Sequence, residues 1–388
     1  MALSDVTFLR GQSGLGRPLA GEDHVSGLVA YFTNANLPSG FTSTDRVKIV
    51  FSTSEAETLG IIEGSANHSV LWYHINEYFK AQPQGELYLG LYDSTSIDYS
   101  VIETVQTFAN GRIRQIAVFD VTAYATGTTT TLQTSATALE TANKPLVVLY
   151  AGDFTAETLS TIGDLRALSN KNVAVILGED GDGDGAALAA STGASVTALG
   201  ATLGAVSLSN VHENIGWVGK FQMSKDLELD EPAFADGTLV KDTTTTLQAA
   251  LQTKGYIFLR KHVGIDGTYF NDSPTSIAVT NDLAYIENNR TLDKAIRGVR
   301  TFMLPNLSGP ITVNADGTLQ EETIAMFKND SDRALEAMER DGEVSAFVTI
   351  IDPAQDVLTT SKVEITLKIV PVGVARQIEV KIGFAVSV

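Results

Sequence analysis

The C-terminal end of the chain alternates apolar and polar residues almost without interruption. Val363, Ile365, Leu367 and Ile369 are separated by Glu364, Thr366 and Lys368. Beyond Pro371-Val-Gly373 the series resumes with Ile378, Val380, Ile382, Phe384, Val386 and Val388. A period of two gives a strand with one buried face and one wet face. A strand that runs to the end of a chain exposes unpaired backbone groups, which must be covered or must pair elsewhere. Two pairings are open: an intramolecular hairpin of 362–370 with 376–388, or addition of 376–388 to the sheet of another subunit. The second needs a hinge, and Pro371 with Gly373 interrupts the alternation where one is required.

Upstream, from Val25 to about Tyr256, strand-like and helix-like segments alternate. The strands are expected at Val25–Phe32, Val47–Phe51, Leu87–Leu91, Ile113–Phe119, Leu146–Tyr150 and Val173–Leu177. Helices are expected near 66–81, 96–109, 130–142, 156–168 and 186–204. Such alternation implies a largely parallel sheet covered on both faces. The uninterrupted apolar runs 146–150 and 173–177 suit its central strands.

After Lys254-Gly255 the pattern becomes α+β. A strand at Tyr256–Arg260 precedes a helix at 281–299 with Leu283, Ile286, Leu292, Ala295, Ile296 and Val299 inward. Thr318-Leu-Gln-Glu321 has the form of a capping box. It opens a helix that ends at Gly342, with Ile324, Phe327, Leu335 and Met338 on one stripe. A strand at Val344–Ile351 follows, stopped by Asp352-Pro353. The expected fold is therefore α/β plus α+β: a Gly-rich N-terminal arm (1–20), a mostly parallel α/β domain (21–255), an α+β domain (256–370) and a C-terminal β arm (371–388).

Composition narrows the function. With 388 residues and 44% apolar content the chain is globular, and the absence of Cys removes disulfides, thiolate metal sites and Cys nucleophiles. Its 27 basic and 46 acidic residues give a net charge of −19, which opposes binding of nucleic acid or anionic lipid. Met1-Ala-Leu-Ser-Asp lacks the basic start and apolar run of a signal peptide. The uncharged stretch from Gly185 to Val211 is too rich in Ala, Gly, Ser and Thr to insert into a membrane, and suits a closely packed interior helix.

No motif supports catalysis. Asp93, Asp120, Asp153 and Asp180 each follow a strand, where four carboxylates could hold Mg²⁺ and a phosphorylated substrate. Equally, each could cap the next helix; no Lys or Arg accompanies them and no phosphate-binding loop is present. Asp180–Gly185 begins like a calcium loop but carries Ser191 at the twelfth position. Gly11–Gly16 lacks the glycine spacing of a dinucleotide site. His24, His68, His74, His212 and His262 form no metal-ligand spacing. The aromatic stretch around Trp72 lacks the basic residues of a nucleic-acid platform and suits a helix against the sheet. No catalytic residue, metal or cofactor is expected.

Three stretches, Val263–Asp272, Tyr285–Arg297 and Ile369–Val380, resemble a family of prophage-borne proteins classed with contractile tail sheaths. Upstream the likeness is one of layout, with Ser54–Gly60 before an aromatic helix. The resemblance implies a structural virion protein: a sheath subunit in helical rings around a tail tube, with terminal arms donating strands to neighbouring subunits. Implied partners are further copies of itself, the tube protein, and baseplate and tail terminator proteins, in a virion tail or injection particle assembled in the bacterial cytoplasm. Ile378, Val380, Ile382, Phe384 and Val386 are then the assembly residues, and Pro371 and Gly373 the hinge. The alternatives are a Mg-dependent phosphoryl-type enzyme using the acidic rim, and a cell-surface binding module.

Overall fold

The computed structural model describes residues 21–225 and 229–384. The expected N-terminal arm, Val386 and Val388 therefore lie outside the described residues.

The main sheet contains β1 (Val25–Phe32), β2 (Val47–Val50), β3 (Glu86–Asp93), β4 (Gln115–Ala123) and β5 (Val147–Asp153). Short β6 (Ser169–Asn170) precedes β7 (Val173–Ile176), β8 (Gly178–Asp180), β9 (Pro232–Phe234) and β10 (Tyr256–Ile257). Seven strands join in the order β10-β7-β5-β4-β1-β3-β2. All neighbours run parallel except β2, which pairs antiparallel with β3 at the edge. β8 and β9 form a separate ribbon.

Helices α1 (Thr53–Thr58), α2 (Ser69–Ala81), α3 (Val101–Phe108) and α4 (Thr126–Thr141) lie between the first strands. They are followed by α5 (Asp184–Thr192), α6 (Leu199–Leu208) and α7 (Thr245–Thr253). Leu28, Leu89, Ala117 and Leu149 pack on one face of the sheet with residues of α2 and α6. Val29, Val118, Val148 and Val175 pack on the other with residues of α3, α4 and α7. Both faces of the parallel strands are thus dry, which is why their sequences read as apolar runs rather than as alternation.

Several expectations need correction. Residues 156–168 form no α-helix. Phe154, Leu159, Ile162 and Leu165 are all buried, but Thr158 carbonyl bonds close a local turn and only Leu165–Ala167 is helical, as a single 3-10 turn. Spacing of three suits such turns as well as it suits a helix. The small-residue stretch is two helices, broken where Gly193 takes φ +68° at the end of α5. Among the described residues no helix is long and apolar enough to cross a membrane. Tyr256–Arg260 divides: β10 extends the main sheet, and β11 (Leu259–His262) forms a hairpin with β12 (Ile265–Phe270). β13 (Ser276–Ile277) pairs back to β6.

The small residues of α6 do allow a close approach. A Cβ on Gly200 would lie 2.1 Å from the His74 carbonyl oxygen on α2, and one on Gly204 would lie 2.8 Å from the Tyr78 oxygen. Gly200→Ala is expected to cost about 1–3 kcal/mol through overpacking. Gly127→Ala, in open space at the start of α4, should be neutral or stabilise by at most about 1 kcal/mol. Thermal denaturation of the two variants checks the contrast.

His74 is wholly buried against Phe119, with ring centroids 4.9 Å apart, and neither ring nitrogen has a hydrogen-bond partner. Burial holds its pKa down to about 3, so the folded state keeps the ring neutral. Because the unfolded chain binds that proton more readily, the stability is present above the ordinary histidine pKa and is lost as pH falls below it. Replacing His74 by Leu should reduce the stability lost between pH 7 and pH 5 by about 2 kcal/mol. Urea unfolding at the two pH values measures it.

Candidate assembly site

The C-terminal unit begins with α8 (Ile286–Met303), followed by α9 (Glu321–Arg340), β14 (Val344–Ile350), the short α10 (Val357–Thr360) and β15 (Thr366–Pro371). The expected capping box does not form. Thr318 bonds instead to Asp316 at 2.7 Å and to Asn314 at 2.9 Å, and Gln320 precedes the first turn of α9. α9 buries Phe327, Leu335 and Met338, while Ile324 is half-buried.

β14 and β15 pair antiparallel, with Phe347 opposite Ile369 and Thr349 opposite Leu367. Among the described residues the intramolecular hairpin of 362–370 with 376–388 is not formed: β15 pairs with Val344–Ile350, and 376–384 belong to no strand. No further strand flanks β14 or β15 among the described residues. Their core is small, with Ala295, Leu335, Met338 and Val344 buried and Val299, Phe347, Leu367 and Ile369 packed around them. A pair of strands with so little behind it is marginal by itself.

The pair also leaves part of the helices bare. Leu292 and Ile296, expected inward, are 39% and 41% exposed. Together with Met303, Phe327, Leu358 and Ile365 they line an apolar groove of about 1070 Å³ beside β15. The inward expectation therefore fails for these two: they share the apolar stripe of α8, but nothing in the described chain covers that end of it.

Beyond β15, Ile378, Val380, Ile382 and Phe384 are 81%, 71%, 92% and 112% exposed. Pro371 is the last residue of β15, and Gly373 beyond it lies in open space without a positive φ. The polypeptide returns to the body at Arg376. Its Nε donates to Asp272 Oδ2 at 3.0 Å, Nη2 donates to Glu287, and the guanidinium lies 3.4 Å from the Tyr285 ring centroid. Sequence reasoning did not anticipate this contact.

The unit is seated on the α/β body by α8. Arg290 donates to the Ser209 hydroxyl at 2.7 Å and to the Asp23 carbonyl at 3.1 Å. Lys294 lies 2.7 Å from Asp23 and 2.6 Å from Glu343. Burial pulls the Asp23 carboxyl up, but Lys294, Arg290 and Arg297 outweigh it and hold the pKa below the ordinary value.

The acidic row does not converge. Asp93 accepts from Thr95 and Asn34, Asp120 from Thr122 and Tyr99, and Asp153 from Thr155 and Ser195. Each pairs one bond to the residue two further on with one from a distant segment, and none goes to the first turn of a helix, so the capping expectation fails for all three. Asp180 alone reaches a helix start, accepting from Gly185 at 3.0 Å as well as from Asp182 and Gly183. That use of the carboxylate replaces the calcium-loop geometry. Burial also raises the neighbouring Glu179 to about 7, with Val196 N–H opposing and Asp180 adding to it. Among the described residues no group of three or more His, Asp or Glu is arranged to hold a metal ion. Trp72 donates to Glu57 at 3.0 Å, and α2 packs on the sheet through Leu71, Ile75 and Tyr78.

This architecture is the fold of contractile sheath proteins. Similar solved structures include the sheath complex of an extracellular contractile injection system, PVC, in its contracted state, with a TM-score of 0.63, 15% identity, and coverage of 100% of this chain and 99% of that one. The contracted helical sheath of the anti-feeding prophage gives 0.62, 16%, 99% and 99%. A sheath tail protein from Desulfitobacterium hafniense gives 0.52, 12%, 95% and 100%. By sequence, the chain belongs to the DUF2586 family, whose N-terminal domain matches residues 3–274 and whose C-terminal domain matches residues 282–388. No curated protein matches it in sequence.

Lys294 compensates two carboxylates at the seam between the units. Lys294→Met should cost about 1–2 kcal/mol, discounted from the buried-pair range because the side chain is partly exposed. Hydrogen exchange should show the loss concentrated in α8.

Proposed function

We propose that this protein is the structural subunit of a contractile tail or injection sheath, and that it polymerises around a tube by exchanging strands between subunits. The observation that carries the reading is the match between a deficit and a surplus in one chain. The C-terminal unit has a sheet of two strands, an open edge and an uncovered apolar groove. The arm carries Ile378, Val380, Ile382 and Phe384 on one face of an unpaired strand pattern. Adding that strand to β15 of a neighbour would complete the sheet and fill the groove. In this reading residues 21–255 and 256–370 form the body, 371–388 the donated arm and 1–20 a second donor.

Magnitudes favour a mesh over a pairwise complex. Burying four such side chains contributes about 6–12 kcal/mol. Ordering 377–384 costs about 8–16 kcal/mol, at roughly 1–2 kcal/mol per residue. Ladder hydrogen bonds add about 1 kcal/mol each. One arm is close to balance, so stable association needs many arms and body contacts acting together. Contraction would then rearrange bodies that stay tethered by their arms, driving the tube through a cell envelope without nucleotide hydrolysis or a catalytic residue. The partners in this reading are other copies, the tube protein, and the baseplate and tail terminator, in a virion tail or injection particle assembled in the bacterial cytoplasm.

A chain lacking 377–388 should remain folded and form no long polymers in negative-stain microscopy. Ile365→Asp should have the same effect from the acceptor side while changing monomer stability by no more than about 0.5 kcal/mol. Polymers of ordinary length from either variant would overturn strand exchange.

A further inference from the structure

Residues 372–384 belong to no strand, yet the root of the arm is held by a built polar site. Asp272, in the loop after β12, is 6% exposed, and Glu287, in the first turn of α8, is 2% exposed. Asn214 holds the two carboxylates together: its amide donates to Asp272 at 2.6 Å, to the Ser273 hydroxyl at 3.0 Å and to Glu287 at 3.2 Å. Ser273 donates in turn to Glu287. The Tyr285 ring is braced by Arg166, whose guanidinium lies 5.1 Å from its centroid and bonds the carbonyls of Thr275, Ile277 and Ala284.

Two buried carboxylates facing one place carry a desolvation cost and repel each other unless a cation joins them. The group that joins them is Arg376. Its fork donates to both acids at once, which a lysine ammonium cannot match in geometry, and its flat face lies on the Tyr285 ring. The site draws on segments 104 and 89 residues away from Arg376 in sequence. It also joins all three stretches that carry the sheath resemblance.

We propose that Arg376 is a latch that fixes the root of the C-terminal arm to the body, so that the arm's joint lies at Gln377 and not at Pro371–Gly373. The segment 372–375 is then a loop strung between two fixed points, the end of β15 and the latch. Each subunit presents its arm from one defined place, and this sets the register in which the arm meets a neighbouring β15. The register claim rests on the sheath reading; the latch is a property of the single chain.

The absence of native Cys allows a pair of spin labels at Gln377→Cys and Thr246→Cys on the exposed face of α7, measured on the dilute full-length chain. The labelled parent should give a narrow distance distribution, and Arg376→Gln should broaden it. Because Arg376→Gln strands two buried acids and can impair folding, the triple variant Arg376→Gln/Asp272→Asn/Glu287→Gln removes the charges together. It should recover the melting temperature of the parent yet keep the broad distribution, and its polymers should be short or irregular. A narrow distribution in the folded triple variant would overturn the latch. A broad distribution with polymers of ordinary length would overturn its role in register. If the parent never polymerises but its root stays narrow, the sheath reading fails and the latch stands.

Discussion

Two antiparallel strands cannot cover two helices, and the C-terminal unit is organised around that shortfall. β14 and β15 bury only a small group of side chains against α8 and α9, leaving Leu292 and Ile296 open to solvent beside a bare sheet edge. One object, an extended segment with alternating side chains, would satisfy both the edge's hydrogen-bonding groups and the groove's apolar surface. The same chain carries such a segment, of which the described residues, 376–384, belong to no strand.

The α/β body serves as a rigid mount for this unit. Its parallel strands are sealed on both faces, and α6 sits so close to α2 that only glycine fits at the crossing. The charged seam of Asp23 with Arg290, Lys294 and Arg297 then fixes α8, whose first turn supplies Glu287 to the latch. Orientation of the open edge and of the arm root are therefore both referred to one body.

The acidic residues at the strand ends show how one sequence signal admits two structures. Asp93, Asp153 and Asp180 are the last residues of β3, β5 and β8, and Asp120 lies within β4, but each is occupied with backbone N–H or hydroxyl groups. Bonds of this kind engage each carboxylate separately, and among the described residues no group of three or more such side chains is arranged to hold a cation.

By itself the sequence determined the periodicities: apolar runs for the dry parallel strands, the stripe of α9, small residues at the α2–α6 crossing and the alternation at the C-terminus. These follow from which face of a local element avoids water. It did not determine which strand meets which, since an alternating strand suits any partner that offers a matching edge; two pairings were open for 376–388, and it is Val344–Ile350 that pairs with β15. Nor did it reveal that Leu292 and Ile296 lack cover, or that Arg376 closes on Asp272 and Glu287. Those depend on groups far apart in the chain, and only the tertiary structure brings an arginine to two buried acids whose charges demand one.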